Sequence, residues 1–394
     1  MGYINFKEEK DVALKQLQNR KVNNKEIYEK LIKDKSLAKN YSPYEKLSYK
    51  TFTKESFGKG GVEDEENFLV IEKKDIICSI FKDCSFNNIK FKNCNIIGCT
   101  FENSRFLGGG VLFESCNFIK TDTISKPSLN KNDNFSCSFI NCNMYPKFLN
   151  SNISHVIFEN CNLKNSMFQD TVMTNSTFYM SNLKKITIQD CDMSGIKIFD
   201  SVISDLDFTD KNKTKLDEKS FIDKIPIREN SKAQYEGVYM TYETIANKFK
   251  DNTLNNNFGE YYFLGKKTQR KTLGFWPKVQ SYLYYLSCGY GERPEYALLF
   301  SLGVIFLFAI IYLFTGITMD GEYVTIFTGH INTPRRFFSY LNETINLSVG
   351  MFAGVGSNNS EPHPTSYMIA NIEIIIGVIM MGVGIGTLTR KLVR

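Results

Sequence analysis

The chain has 394 residues, a formal net charge of +6, and 23% charged against 42% apolar residues. That length calls for two or three folding units, and the composition excludes wholesale disorder. So small a net charge gives no argument for nucleic acid, while the mean hydropathy of −0.25 conceals long apolar stretches confined to the C-terminal part.

Residues 1–75 are rich in Lys and Asn. They carry a weak helical pattern at Val12, Leu14 and Leu17 and turn signals at Pro43 and Gly58–Gly61, and read as a helical or irregular segment. The opening MGYINFKEEKDVALKQLQNR has no apolar run of the secretory kind, and the ten cysteines contain no C-x-x-C. Neither a disulfide scaffold nor a zinc ribbon is expected.

From Phe81 the chain repeats every five residues: Phe81, Phe86, Phe91, Ile96, Phe101, Phe106. The phase slips at Gly108-Gly109-Gly110 and resumes at Phe113 and Phe118; a polar insertion near 120–134 precedes Phe139 and Met144. From Ile153 the run continues through Phe158, Leu163 and Phe168 to Phe208. A period of five fits neither a helix nor a strand. Two residues before a centre stand Cys84, Cys94, Cys99, Cys116, Cys137, Cys142, Cys161 and Cys191, as small buried hydrophobes would. With SNLKK at 181–185 and CNLKN at 161–165, the pattern resembles the pentapeptide-repeat family. The resemblance implies a right-handed quadrilateral β-helix with four pentapeptides per coil, expected over 76–225. Between 76 and 210, 12 Lys/Arg face 13 Asp/Glu, a balanced surface unlike an acidic DNA mimic. The expected partner there is a protein or ligand that the sequence does not specify, and not nucleic acid.

Residues 226–292 read as a helical linker. Tyr235, Val238, Tyr239, Tyr242, Ile245, Ala246 and Phe249 fall at amphipathic spacing. A second helix with Phe258, Tyr261 and Tyr262 runs into Lys266, Lys267, Arg270 and Lys271, which either solvate a helix face or meet anionic lipid head groups. Phe275, Trp276, Val279, Tyr282, Leu283 and Leu286 then share one face, the composition of a helix lying in a membrane interface.

Residues 293–394 read as a membrane domain. Tyr296 to Ile317 is 22 residues without a charge, enough to cover a hydrocarbon core of ~30 Å. A second span from about Tyr367 to Leu388 carries one carboxylate, Glu373. Arg293 precedes the first span and Arg390, Lys391 and Arg394 follow the second, so both outer ends are expected in the cytosol; Arg335 and Arg336 run against that rule. Between the spans, FFSYLNETINLSVGMF at 337–352 reads as a short helix, followed by AGVGSNN at 353–359 and Pro362. Alternating glycines let successive carbonyls point one way, as a selectivity filter requires.

A short helix, a glycine loop and a second span resemble the two-transmembrane pore-loop (potassium-channel-like) family, whose filter reads T-V-G-Y-G-D. Aligning the glycines places Phe352 at the Thr position, then Ala353, Gly354, Val355, Gly356 and Ser357. The resemblance implies a homotetramer with these last five as filter, Phe352 and Glu373 supporting the pore, and Gly377, Gly382 and Gly384 as gate hinges. It implies permeant K⁺ or Na⁺ and no other metal or cofactor. Val355 in place of Tyr and Ser357 in place of Asp imply weaker potassium preference. GYGERP at 289–294 precedes the first span and looks like the junction of bacterial proteins that join pentapeptide repeats to such a pore. Glu373 has three readings: a bond behind the filter, charge at the outer mouth, or a structural bond to the pore helix. The hinge glycines have a second one, close helix packing.

His155, His330 and His363 lack partner spacing, and no nucleophile–base pair stands out, so no enzyme is expected. The leading expectation is a cation channel of a bacterial inner membrane, with subunit interfaces from the second span and Phe300, Phe306 and Phe308 of the first facing lipid. The alternative is a membrane-anchored scaffold without conduction.

Overall fold

The computed structural model describes residues 3–38, 41–60, 68–119, 135–319, 321–327, 333–357 and 359–393. Gly61, the insertion at 120–134, His330 and Arg394 lie outside the described residues. The chain forms two compact units, Met1–Thr268 and Gln269–Arg394.

In the first unit short strands stack in parallel, one coil apart. Phe158 pairs with Phe178 and Phe178 with Ile198, so a coil takes 178 − 158 = 20 residues, four pentapeptides. The stacks build an eight-stranded sheet from Thr51–Thr53 to Phe221–Ile222 and a nine-stranded sheet beside it, a β-solenoid of about seven turns.

Each repeat position has its own physical cause. Centre side chains fill the interior: the rings of Phe81, Phe101, Phe139, Phe158 and Phe178 stack at 4.7 to 5.1 Å. Two residues earlier stands a small side chain whose hydrogen goes to the coil before. Cys161 Sγ donates to the Phe139 carbonyl at 3.3 Å, as Ser181 Oγ does to Phe158 and Ser201 Oγ to Phe178. The cysteines are therefore donors as well as hydrophobes, and burial pushes the Cys191 thiol up to about 12. Two residues after most centres the backbone turns left-handed, with φ near +50° at Asn160, Asp170, Asn175, Asp190 and Asp200. Asn and Asp tolerate that region best among residues with a Cβ, which explains why the repeats are rich in them. Gly98 takes the same position where a Cβ would stand 1.8 Å from the Phe135 ring.

Three features depart from the sequence reading. Phe52 pairs with Phe81 and Phe57 with Phe86, so the solenoid begins near Leu47 and not at 76. Phe148 is a further interior centre, four residues after Met144 instead of five. Finally, residues Phe6–Lys33 form one 28-residue helix, α1, whose buried stripe is Phe6, Ala13, Leu17, Ile27 and Leu31. It lies along the solenoid, tied by the Lys10–Asp200 and Lys21–Glu159 ion pairs and by Arg20, which donates to the Asn175 carbonyl at 2.6 Å.

At the other end, α2 (Lys232–Asp251) and α3 (Asn255–Gln269) close the last coil. The buried Tyr261 hydroxyl accepts from Ile222 N at 3.0 Å and donates to Ile222 O at 2.7 Å, while Tyr242 Oη accepts from Ile225 N at 2.8 Å. These bonds satisfy backbone that an open edge would leave exposed.

The second unit holds α4 (Phe275–Cys288), α5 (Pro294–Thr315), α6 (Pro334–Ala353) and α7 (Tyr367–Val393). Ile317–Met319 pairs antiparallel with Glu322–Val324 and Ser360–Pro362. Among the described residues, two stretches are long and apolar enough to cross a membrane by length and composition, Pro294–Thr315 and Pro364–Leu392. Phe308, Tyr312, Tyr340, Leu347, Phe352 and Met380 form the core between the helices. Phe308 thus faces inward, against the expectation that it points to lipid, because Val304, Phe308 and Tyr312 share the α5 stripe that meets α6; Phe306 is exposed.

Candidate functional site

Helix α6 starts at a Thr333 cap, whose Oγ1 accepts from Arg336 N at 3.4 Å, with Pro334 in the first turn. It ends at Gly354, left-handed with φ 73°. Gly354 N donates to Met351 O at 3.0 Å, and Val355 N and Gly356 N both donate to Gly350 O, at 3.0 and 3.1 Å. Ala353 is thus the last helical residue, and Gly354, Val355 and Gly356 form the helix cap, with Gly356 at φ 77°. Val355 is 82% exposed, and Ser357 Oγ lies 3.1 Å from Ser360 Oγ. Among the described residues, no N–H or O–H donates to the carbonyls of Gly354, Val355 or Gly356.

The row of carbonyls read from the alternating glycines is not what the single chain shows. A Cβ on Gly350 would stand 2.0 Å from Gly356 O, so that carbonyl is folded back onto α6. The orphan carbonyls of a helix end compete for the loop amides, and here the cap takes them.

Behind the loop, Glu373 is fully buried. Its Oε2 accepts from the Tyr312 hydroxyl on α5 at 2.8 Å and its Oε1 from Ser348 Oγ on α6. Ser348 Oγ also lies 2.8 Å from Ile305 O. One carboxyl therefore ties three helices together, satisfying a polar group that would be costly unpaired. Nothing in the spacing singled out Tyr312 or Ser348; a phenol inside an uncharged run was the available signal.

The candidate hinges separate. A Cβ on Gly377 would stand 1.9 Å from Phe352 O, so this glycine lets α7 cross the end of α6. At Gly382 and Gly384 nothing lies within 4 Å of the same position. Phe352 itself is buried in the core.

On α4, Phe275, Leu283 and Leu286 are exposed and Trp276 is 76% exposed. Arg270, which the sequence grouped with residues meeting lipid or solvent, is 5% exposed. Its guanidinium lies 4.1 Å from the centre of the Tyr282 ring and 4.4 Å from that of Tyr285, which cover it. His155 is half-buried in the solenoid, where burial and the Arg20 guanidinium hold its imidazole down to about 4. His363 packs its ring 4.2 Å from Tyr323.

The family model for pentapeptide repeats matches residues 150–195, with eight copies. The comparison with curated proteins finds no match. Among solved structures, a trypsin-treated form of QnrB1, a plasmid-mediated fluoroquinolone resistance protein, is 13% identical, covering 40% of this chain and 71% of that one at a TM-score of 0.19. The pentapeptide repeat protein Rfr23 from the cyanobacterium Cyanothece 51142 is 11% identical, covering 45% and 88% at 0.16. The matched repeats, the 20-residue coil and its left-handed turns agree: the chain contains a pentapeptide-repeat β-solenoid domain.

Proposed function

We propose that the chain is a homotetrameric cation channel of a bacterial inner membrane, with both termini and the solenoid in the cytosol. The observation that carries this reading is the setting of α6. A helix ending in a glycine loop stands between two helices of spanning length, held to both by the buried Glu373 through Tyr312 and Ser348. A plain anchor has no use for that polar tie. Residues 353–357 line the ion path, and the open carbonyls of Gly354 and Val355 face the permeant K⁺ or Na⁺. Conduction requires Gly356 to turn its carbonyl off Gly350. The C-terminal end of α6 favours cations, since the helix dipole is negative there. Exposed α4 lies in the interface, with Trp276 at head-group level.

The second reading, a membrane-anchored scaffold with the solenoid as its binding surface, draws on the capped loop itself. Reversal potentials decide between them, measured on purified protein in planar bilayers with K⁺ on one side and Na⁺ on the other. A cation-selective current with modest potassium preference is expected. Absence of current would leave only the scaffold, whereas a current carried by chloride would overturn the cation path at 353–357.

A further inference from the structure

The GYGERP segment has no part in the site above, yet the fold spends much on it. Gly289, Tyr290 and Gly291 all take positive φ, 52°, 58° and 82°, reversing the chain from α4 into α5. A left-handed tyrosine costs about 1 kcal/mol, so something fixes it there. Tyr290 Oη lies 2.8 Å from Ser281 Oγ, and Arg270 donates to it at 3.5 Å while stacked on Tyr282 and Tyr285. The elbow presents Glu292, 1% exposed, to Arg390 near the end of α7. The two charges stand 2.8 Å apart, as an ion pair without hydrogen-bond alignment at Oε1. A Cβ on Gly291 would stand 3.1 Å from Arg390 Nη1, so the glycine also leaves room for the guanidinium. A buried carboxylate is a poor way to gain stability but a good way to fix one arrangement of two elements.

We propose that Glu292 and Arg390 are positioning residues for gating: the pair latches the cytosolic end of α7 to the elbow and so sets how often the pore opens. This rests on the channel reading. The bistable element is α7, with Gly382 and Gly384 unencumbered between the crossing at Gly377 and the latch. Movement of α4, anchored to the elbow through Tyr290, reaches the inner end of α7 along this path.

The test is single-channel recording of wild type, Glu292→Gln, Arg390→Gln and the double swap Glu292→Arg with Arg390→Glu. Both single variants should change the ratio of open to closed time at least fivefold, in the same direction. Unit conductance and reversal potential should stay at wild-type values, and the swap should restore the ratio to within twofold. A merely structural pair would lower thermal stability in detergent and leave gating unchanged, and that result overturns the latch. So do opposite shifts in the two variants, or a swap that fails to restore gating while forming tetramers. Should Glu292→Gln not fold, Arg390→Gln, changed at a partly exposed side chain, and the swap still decide. Silence of the wild type is a different failure, overturning the channel reading and the latch with it.

Discussion

Gly377→Ala tests the crossing on which the candidate pore rests. An added Cβ would stand 1.9 Å from Phe352 O, 2.8 Å from its carbonyl carbon and 3.0 Å from its Cα, all backbone atoms that cannot rotate away. Relief requires α7 and the end of α6 to part by about 1 Å, since close-packed interiors yield little. Overpacking of this kind costs roughly 1–3 kcal/mol, which lowers the unfolding temperature of a unit this size by about 4 °C or more. Only Ala353 separates Phe352 from the loop, so the same displacement should reduce unit conductance. The assay pairs thermal unfolding in detergent with single-channel recording. Gly382→Ala, with nothing within 4 Å of the new Cβ, is the control and should melt no lower than wild type, since alanine in a helix interior is favoured over glycine by up to about 1 kcal/mol. Wild-type melting and conductance in Gly377→Ala would refute the close crossing. Lost opening in Gly382→Ala at unchanged melting would make that residue the hinge.

Three further outcomes concern the solenoid. Phe168→Asp buries an unpaired charge where Phe168 stacks at 5.3 Å on Phe148; it should cost several kcal/mol, and an unchanged sheet signal in a circular-dichroism melt would contradict the interior placement. Tyr261→Phe removes both bonds to Ile222 and should cost about 2–3 kcal/mol in urea unfolding, with a loss below about 0.5 kcal/mol counting against the capping role. His155 is held neutral in the fold at about 4 against a free value of about 6.5, so its contribution is complete above about 6.5 and fades as pH falls toward 4. Since the ring is partly exposed, about 1–2 kcal/mol is at stake. His155→Asn keeps a residue suited to the left-handed turn and should flatten that acid slope; an identical slope would show that other groups cause it.

The repeat was legible because one residue in five must be large and buried, whatever the rest does. It was lost where the chain bends that rule. Leu47, Phe52 and Phe57 keep the step of five, but residues 58–70 separate them from Ile71, Ile76 and Phe81, so the first coil reads as irregular. Pro146 stands in a step of four, which hid Phe148. The pattern of α1 stayed weak in the sequence because Arg20 and Asn24 fall on its apolar stripe, where they bond the solenoid backbone instead of packing in a core. In the second unit, composition located the helices, but Glu292–Arg390 joins residues almost a hundred positions apart, and no local signal carries such a pair.

The loop was legible in its glycines and not in its conformation, because a filter and a helix cap ask the same thing of Gly354 and Gly356: positive φ. Gly350 separates the two states. In the capped loop its α-carbon supports Gly356 O, and a Cβ there would stand 2.0 Å from that oxygen and 2.5 Å from its carbon. With the carbonyl turned toward an ion the seat is empty, and alanine inside a helix is favoured over glycine by about 1 kcal/mol. Gly350→Ala should therefore destabilise the cap alone. On the channel reading the variant still conducts, with open time equal to or longer than wild type, and remains a tetramer by mass measurement in mild detergent. If instead it forms tetramers but passes no current, the capped loop is itself the working form, and the carbonyls of 354–356 are not the ion path. The capped loop is then a structural stop to α6 that the conducting wild type needs intact, and the ion path runs elsewhere.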